Sequence, residues 1–180
     1  MMTSVSIVRE KETGTMEILL VSPMNSLFVI LSKAVPYFVL SILNLTTILL
    51  LSFFVLDVPI AGSLTALVSV SLVFIFVSLA LGLLISNVTQ TQVAAMLASG
   101  MVLMLPTIIL SGIIFPIESM PGILQGISCF IPARWYVSIV RRIMIEGVPF
   151  MYVWKETAIL LFMAVVLIGI TTRTFKNRLE

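Results

Sequence analysis

The sequence predicts an all-α fold: a polytopic membrane helix bundle with four transmembrane helices. Three observations lead there. Of the 180 residues, 60% are hydrophobic and only 10% charged, whereas soluble domains carry roughly 25% charged residues. The charges are also unevenly spread, and between Lys33 and Glu118 the only one is Asp57. Four apolar stretches qualify for a bilayer crossing, which needs about 20 residues, the last of them being short. So few charges cannot cover the surface of a soluble domain, and a net charge of +2 gives no basic field for nucleic acid.

Residues 1–25 precede the spans. Met1 to Val8 are mostly apolar and come before the charged run Arg9-Glu10-Lys11-Glu12, the reverse of the order in a secretory signal. They read as the cytoplasmic end of a truncated span. Gly14 breaks the helical register, and Gly14 or Thr15 can cap a new short helix. Glu17 then falls in its first turn, at the positive end of the helix dipole, and Pro23 stops it. Apart from Glu17 and Ser22 this helix is apolar, so it is expected in the membrane interface. The charged run is either a docking surface for a cytosolic partner or a solvated stretch that only fixes topology.

The first span is expected at 27–56, with Lys33 and Pro36 in its opening turns. At helical spacing Lys33, Tyr37, Ser41, Asn44 and Ser52 form one polar stripe. Polar groups in lipid seek partners or water, so the stripe is expected to face the bundle interior or a second subunit. Pro59 and Gly62 mark a turn. The second span, 64–86, carries no charge. The third, 93–115, contains Pro106 as an expected kink. Small residues at Ser78, Gly82 and Ser86, and at Ala95 and Ser99, allow close helix approach. Residues 116–147 form extracytoplasmic re-entrant and amphipathic helices before the last span. Phe115, Pro116, Glu118, Pro121 and Pro132 punctuate the re-entrant part, which is either an outer gate or a plug over the bundle. In the amphipathic part, at about 100° per residue, Arg134, Ser138, Arg141, Arg142 and Glu146 share a face opposite Tyr136, Val140, Ile143 and Met144. The last span, 157–172, follows an interfacial pair, Tyr152 and Trp154.

Four spans put both termini on one side. Arg9, Lys11, Lys33, Arg173, Lys176 and Arg178 outnumber Arg134, Arg141, Arg142 and Lys155, so both termini are expected in the cytoplasm of a multi-pass cell-membrane protein. Several chemistries drop out by composition. There is no histidine, one aspartate and one cysteine, which excludes Ser-His hydrolysis, a diaspartyl site, an internal disulfide and a thiolate metal cluster. No catalytic residue, metal site or cofactor is expected. A GxxxxGK[ST] nucleotide loop is absent from the sequence. A Ser-Lys dyad using Lys33 is the only formal enzymatic option, and snorkelling accounts for that lysine more simply.

The run Arg9-Glu10-Lys11-Glu12-Thr13-Gly14-Thr15-Met16-Glu17, followed by Leu19-Leu20-Val21-Ser22-Pro23, resembles the signature of ABC-2 type permeases. These are the membrane subunits of ATP-driven exporters. The order that follows is also similar: Lys33 and Pro36 opening a span, Phe-Pro-x-Glu-x-x-Pro from Phe115 to Pro121, and a surface helix ending at Gly147. The resemblance implies a C-terminal portion of a drug-efflux-like permease. It further implies a second permease subunit, identical or not, and a dimer of ABC ATPases that binds the ATP. Arg9, Glu10, Lys11, Glu12, Gly14, Thr15 and Glu17 would be the coupling residues, and residues 116–132 would lie near the exit. The alternative is a non-transport membrane anchor or assembly subunit that recruits a cytosolic partner. Membrane lipids are partners on either reading, and nucleic acid is not.

Overall fold

The computed structural model describes residues 2–12, 26–58 and 61–176. Among them there is no strand. The helices are α1 (Met2–Glu12), α2 (Ser26–Phe54), α3 (Leu64–Val88), α4 (Gln92–Ala98), α5 (Leu105–Leu110), α6 (Gly122–Ser128), α7 (Pro132–Met144) and α8 (Trp154–Lys176). A π-helical segment, Ser99–Met104, joins α4 to α5, and single 3₁₀ turns lie at Ile117–Ser119 and Phe150–Tyr152. Four helical runs are long and apolar enough to cross a membrane: Ala34–Phe54, Leu64–Val88, Gln92–Leu110 and Trp154–Thr172.

The bundle is built around α3, which contacts α1, α2, α7 and α8. Ser63 caps its N-terminus by accepting from the Ala66 amide. Helices α3 and α8 run parallel. Leu67 and Val70 join Val153 and Leu160 in one buried cluster at the first end. At the other end the Asn87 amide donates to the Thr171 carbonyl at 3.4 Å, and Thr171 Oγ1 lies 3.5 Å from the Ala80 carbonyl. We call the end holding Glu12 and Asn87 proximal and the end holding α7 distal. Helix α1 wedges between α3 and α4, burying Thr3, Ser4, Ile7 and Val8. Both small-residue lines serve this packing: Gly82 faces Thr3, and Ser99 pairs with Ser4.

The boundaries differ from the sequence expectation in instructive ways. The third helical run stops at Leu110, short of Phe115, because Gly112 takes a left-handed conformation (φ +84°). At Pro106 the helix changes register. The π-helical segment precedes it, and the Leu105 amide already reaches back to Gly100. The wider register accommodates a residue with no N–H to donate. The last helix starts at Trp154 and extends past Thr172. The short helix expected between Gly14 and Pro23 lies outside the described residues.

Residues 116–147 form two helices, α6 and α7, bent by 87°. Helix α7 does more than lie on a surface. Its apolar side buries Ala133, Ile139, Ile143 and Met144, and Tyr136 stacks on Phe74 of α3 with centroids 4.2 Å apart. Tyr136 also shares a 3.0 Å hydroxyl contact with Ser71. The α2–α3 turn docks on the end of α7, where the Ala61 amide donates to the Met144 carbonyl at 3.2 Å. Gly147 (φ +66°) reverses the chain there. Arg142 then pairs with Glu156 of α8 at 2.8 Å, the Glu156 side chain being 18% exposed.

These contacts set the cost of substitution at three positions. A Cβ at Gly62 would stand 2.5 Å from the Ile143 carbonyl oxygen. Gly62→Ala should therefore cost about 1–3 kcal/mol, read as a lower unfolding temperature in detergent. Gly169→Ala, where a Cβ meets open space, should be neutral or stabilising by up to about 1 kcal/mol. Arg142→Ala should cost about 2–3 kcal/mol, because Glu156 Oε2 is already buried without a partner. Arg142→Met combined with Glu156→Leu should recover most of that loss.

Candidate functional site

The proximal end gathers the residues that sequence reasoning assigned to coupling. Helix α1 carries Arg9, Glu10, Lys11 and Glu12 in its last turns, and Arg9 and Glu12 are exposed. Gly14, Thr15 and Glu17 lie outside the described residues. Glu12 makes a specific contact. One carboxylate oxygen accepts from the Gln92 amide at 2.9 Å, and the other accepts from the Gln92 side-chain amide. Gln92 is the first residue of α4. A carboxylate there satisfies an orphan N–H and meets the positive end of the helix dipole. Thr91 supplies the cap, accepting from the Ala94 amide at 3.2 Å.

This contact continues inward. Ser4 and Ser99 hydroxyls lie 2.9 Å apart, and Ser99 Oγ donates to the Ala95 carbonyl at 2.6 Å. Helix α1 is thus tied to α4 at its end and to the first residue of the π-helical segment deeper in. The span expected from residue 93 leaves out Gln92, with which the helix begins. The signal available was Thr91-Gln92 standing directly before an apolar run, an N-cap pattern.

The polar stripe of α2 divides. Tyr37, Ser41 and Ser52 are half-buried, whereas Asn44 is exposed. None of the spanning part of α2 is buried, so the stripe as a whole does not face the interior of this chain. Thr46 and Thr47 satisfy their hydroxyls on the Ile42 and Leu43 carbonyls at 2.9 and 2.8 Å. Lys33 sits in the opening turns of the helix. A mostly apolar cavity of about 400 Å³ lies between α2, α3 and α8, with Phe38 and Phe76 at 4.8 Å on its wall.

The distal end holds a second cavity, of about 330 Å³, between the outward face of α7 and the segment from Ser111 to Glu118. Pro116 and Glu118 line it; Phe115, Pro121 and Pro132 do not. Arg134, Arg141 and Arg142 contribute from α7. Arg134 is held by the Gln125 carbonyl at 2.9 Å and by the Ser128 hydroxyl, and its guanidinium lies over the Trp135 ring. Among the described residues no cluster suited to a metal ion occurs.

With this geometry in view, the comparisons are informative. A family profile described as ABC-2 family transporter protein matches residues 1–173. The chain is 38% identical over 180 residues to a probable multidrug ABC transporter permease, YbhS, of Escherichia coli K12, covering 99% of this chain and 48% of that protein. It is 33% identical over 154 residues to a second such permease, YbhR, covering 86% and 42%. It is also 29% identical over 178 residues to ABC transporter G family member 20 of Dictyostelium discoideum, covering 98% and 24%. No solved structure matches the chain. The chain spans about half the length of the bacterial relatives it matches. A profile match over residues 1–173, joined to a bundle of apolar helices, establishes that the chain belongs to the ABC-2 family of transporter proteins.

Proposed function

We infer that this chain forms part of the membrane-spanning permease of an ATP-driven exporter and performs no covalent chemistry of its own. ATP is bound by a separate pair of ABC ATPases, and the permease pairs with a second subunit. Both termini of this chain face the cytoplasm, and the proximal end is the cytoplasmic one. The relatives named as ABC transporter permeases support the class.

The observation that carries the mechanism is the grip of Glu12 on the start of α4. A displacement of the Arg9–Glu12 turn by the ATPases pulls on the Gln92 amide. That force enters the run from Gln92 to Leu110, which contains the π-helical segment. A π register is one residue wider than an α register, so its loss turns the distal part of the helix by about 100°. Such a segment has two discrete arrangements, as population shift requires. ATP closure biases one of them, and the change in α5 opens or shuts the path. Asn44 supports the pairing. It is exposed in the middle of a span and has no hydrogen-bond partner among the described residues. An amide in hydrocarbon needs a partner or water, which a second subunit or a wet path supplies.

The test is made in the assembled transporter in liposomes. Glu12→Lys should lower export about tenfold or more, the loss expected from charge-assisted bonds, while ATP hydrolysis persists. Gln92→Ala should weaken export in the same direction. If Gln92→Ala leaves export intact while Glu12→Lys releases the ATPase, the carboxylate only docks a partner, as a membrane anchor would. Cysteines at Ser41 and Asn44 give an independent reading. Labelling that changes with nucleotide supports a path beside α2, and constant protection supports an anchor.

A further inference from the structure

We propose that the distal cavity between α7 and the 111–118 segment is a binding site for a phosphate-type oxyanion, held by Arg141 and Arg134 with the hydroxyls of Ser138 and Ser111. The site lies at the opposite end of the bundle from Glu12 and does not depend on the coupling mechanism.

Charge accounting on α7 points to it. Arg134, Ser138 and Arg141 follow one another at i, i+4 and i+7, so they form a single line on the face turned from the core. Arg142 is neutralised by Glu156 at 2.8 Å, with Glu146 at 3.9 Å. Arg134 is different. Its Nη1 donates to neutral acceptors, the Gln125 carbonyl and the Ser128 hydroxyl, so its direction is fixed while its charge stays uncompensated. Arg141 is exposed and has no partner among the described residues. Two guanidiniums therefore meet one cavity without a carboxylate within ion-pair distance of either.

Ser111 supplies an independent observation. It contributes to the wall of the same cavity, is 1% exposed, and its hydroxyl has no hydrogen-bond partner. A buried hydroxyl left unpaired costs about 1–3 kcal/mol, a cost that a bound acceptor removes. Gly112, next to it, turns the chain left-handed against Ile117 and shapes the wall. Two guanidiniums and two hydroxyls offer more donors than a carboxylate can accept, whereas a tetrahedral oxyanion presents oxygens in several directions. Glu118 and Glu146 both line the cavity, Glu146 beside Arg142 at 3.9 Å, and their charges oppose the anion.

The phosphate can come from a lipid headgroup or from solution, and the test separates these sources. The full-length permease is titrated with inorganic phosphate against chloride at equal ionic strength, with thermal unfolding as readout. In parallel it is placed in nanodiscs of phosphatidylcholine with or without phosphatidylglycerol, and retained lipid is counted by native mass spectrometry. A saturable response to inorganic phosphate identifies a free oxyanion; selective retention of phosphatidylglycerol identifies a headgroup. In the responding arm, Arg141→Gln should weaken binding about tenfold or more, Ser111→Ala should weaken it less, and Glu118→Gln should tighten it. Arg141 and Glu118 are exposed, so neither change disturbs the core, and a gain of affinity in Glu118→Gln cannot arise from misfolding. No response in either arm overturns the proposal, as does a response that Arg141→Gln leaves unchanged.

Discussion

Inside a bilayer, helices gain little by hiding apolar side chains from one another, because lipid is as apolar as leucine. What remains is contact distance and the pairing of polar groups. This constraint explains where the bundle is strongest. Tight approaches occur at Gly62, where a Cβ would stand 2.5 Å from the Ile143 carbonyl oxygen, and at Gly82 and Gly147, where it would meet Thr3 and Ala61 at 3.3 and 3.2 Å. Among the described residues its long-range polar contacts include Ser4 with Ser99, Glu12 with Gln92, Ser71 with Tyr136, Asn87 with Thr171, and Arg142 with Glu156. Each lies where two elements would otherwise have only weak dispersion forces to hold their register. Elsewhere, Thr46, Thr47 and Ser69 turn their hydroxyls onto carbonyls of the preceding turn, which satisfies them without a neighbour.

The two ends use charge differently. At the proximal end a single carboxylate, Glu12, meets amide donors on another helix. The bond is directional and exposed, suited to transmitting a displacement. At the distal end several charges are partly compensated within the chain. Arg142 fastens α7 to α8, and Arg134 is braced by the end of α6. The apolar side of α7 completes the core while its polar side frames a cavity. A helix with this strong a division of faces sits at a boundary between packed protein and water.

Much of the architecture was legible in the sequence because hydrocarbon leaves the chain few choices. Uncharged stretches from Leu64 and from Val93 had to be helical, since no other single-segment structure satisfies its own backbone in lipid. The faces of α7 followed from Arg134, Arg141 and Arg142 against Ile143 and Met144. Gly82 and Ala95 marked close approach. The π register before Pro106 was not legible, because a local widening leaves hydropathy unchanged. Nor was the Glu12–Gln92 contact, which joins residues eighty apart. The charged run gave no sign that one carboxylate, Glu12, is spent on the chain itself. Arg134 and Arg141 were visible as a cationic face; the buried hydroxyl of Ser111 beside them needed the turn at Gly112 to bring it there.

The parallel pairing of α3 and α8 carries a mechanical implication. These two helices are clamped at both extremities, by the Leu67–Leu160 cluster and by the Asn87–Thr171 contact, and α7 bolts them together from the side. They form a stator. Among the described residues, the run from Gln92 to Leu110 makes no polar contact with that pair, and it contains the π-helical register. On the coupling mechanism proposed above, motion falls on one rod sliding against a fixed frame, so a stroke needs to distort very little of the chain.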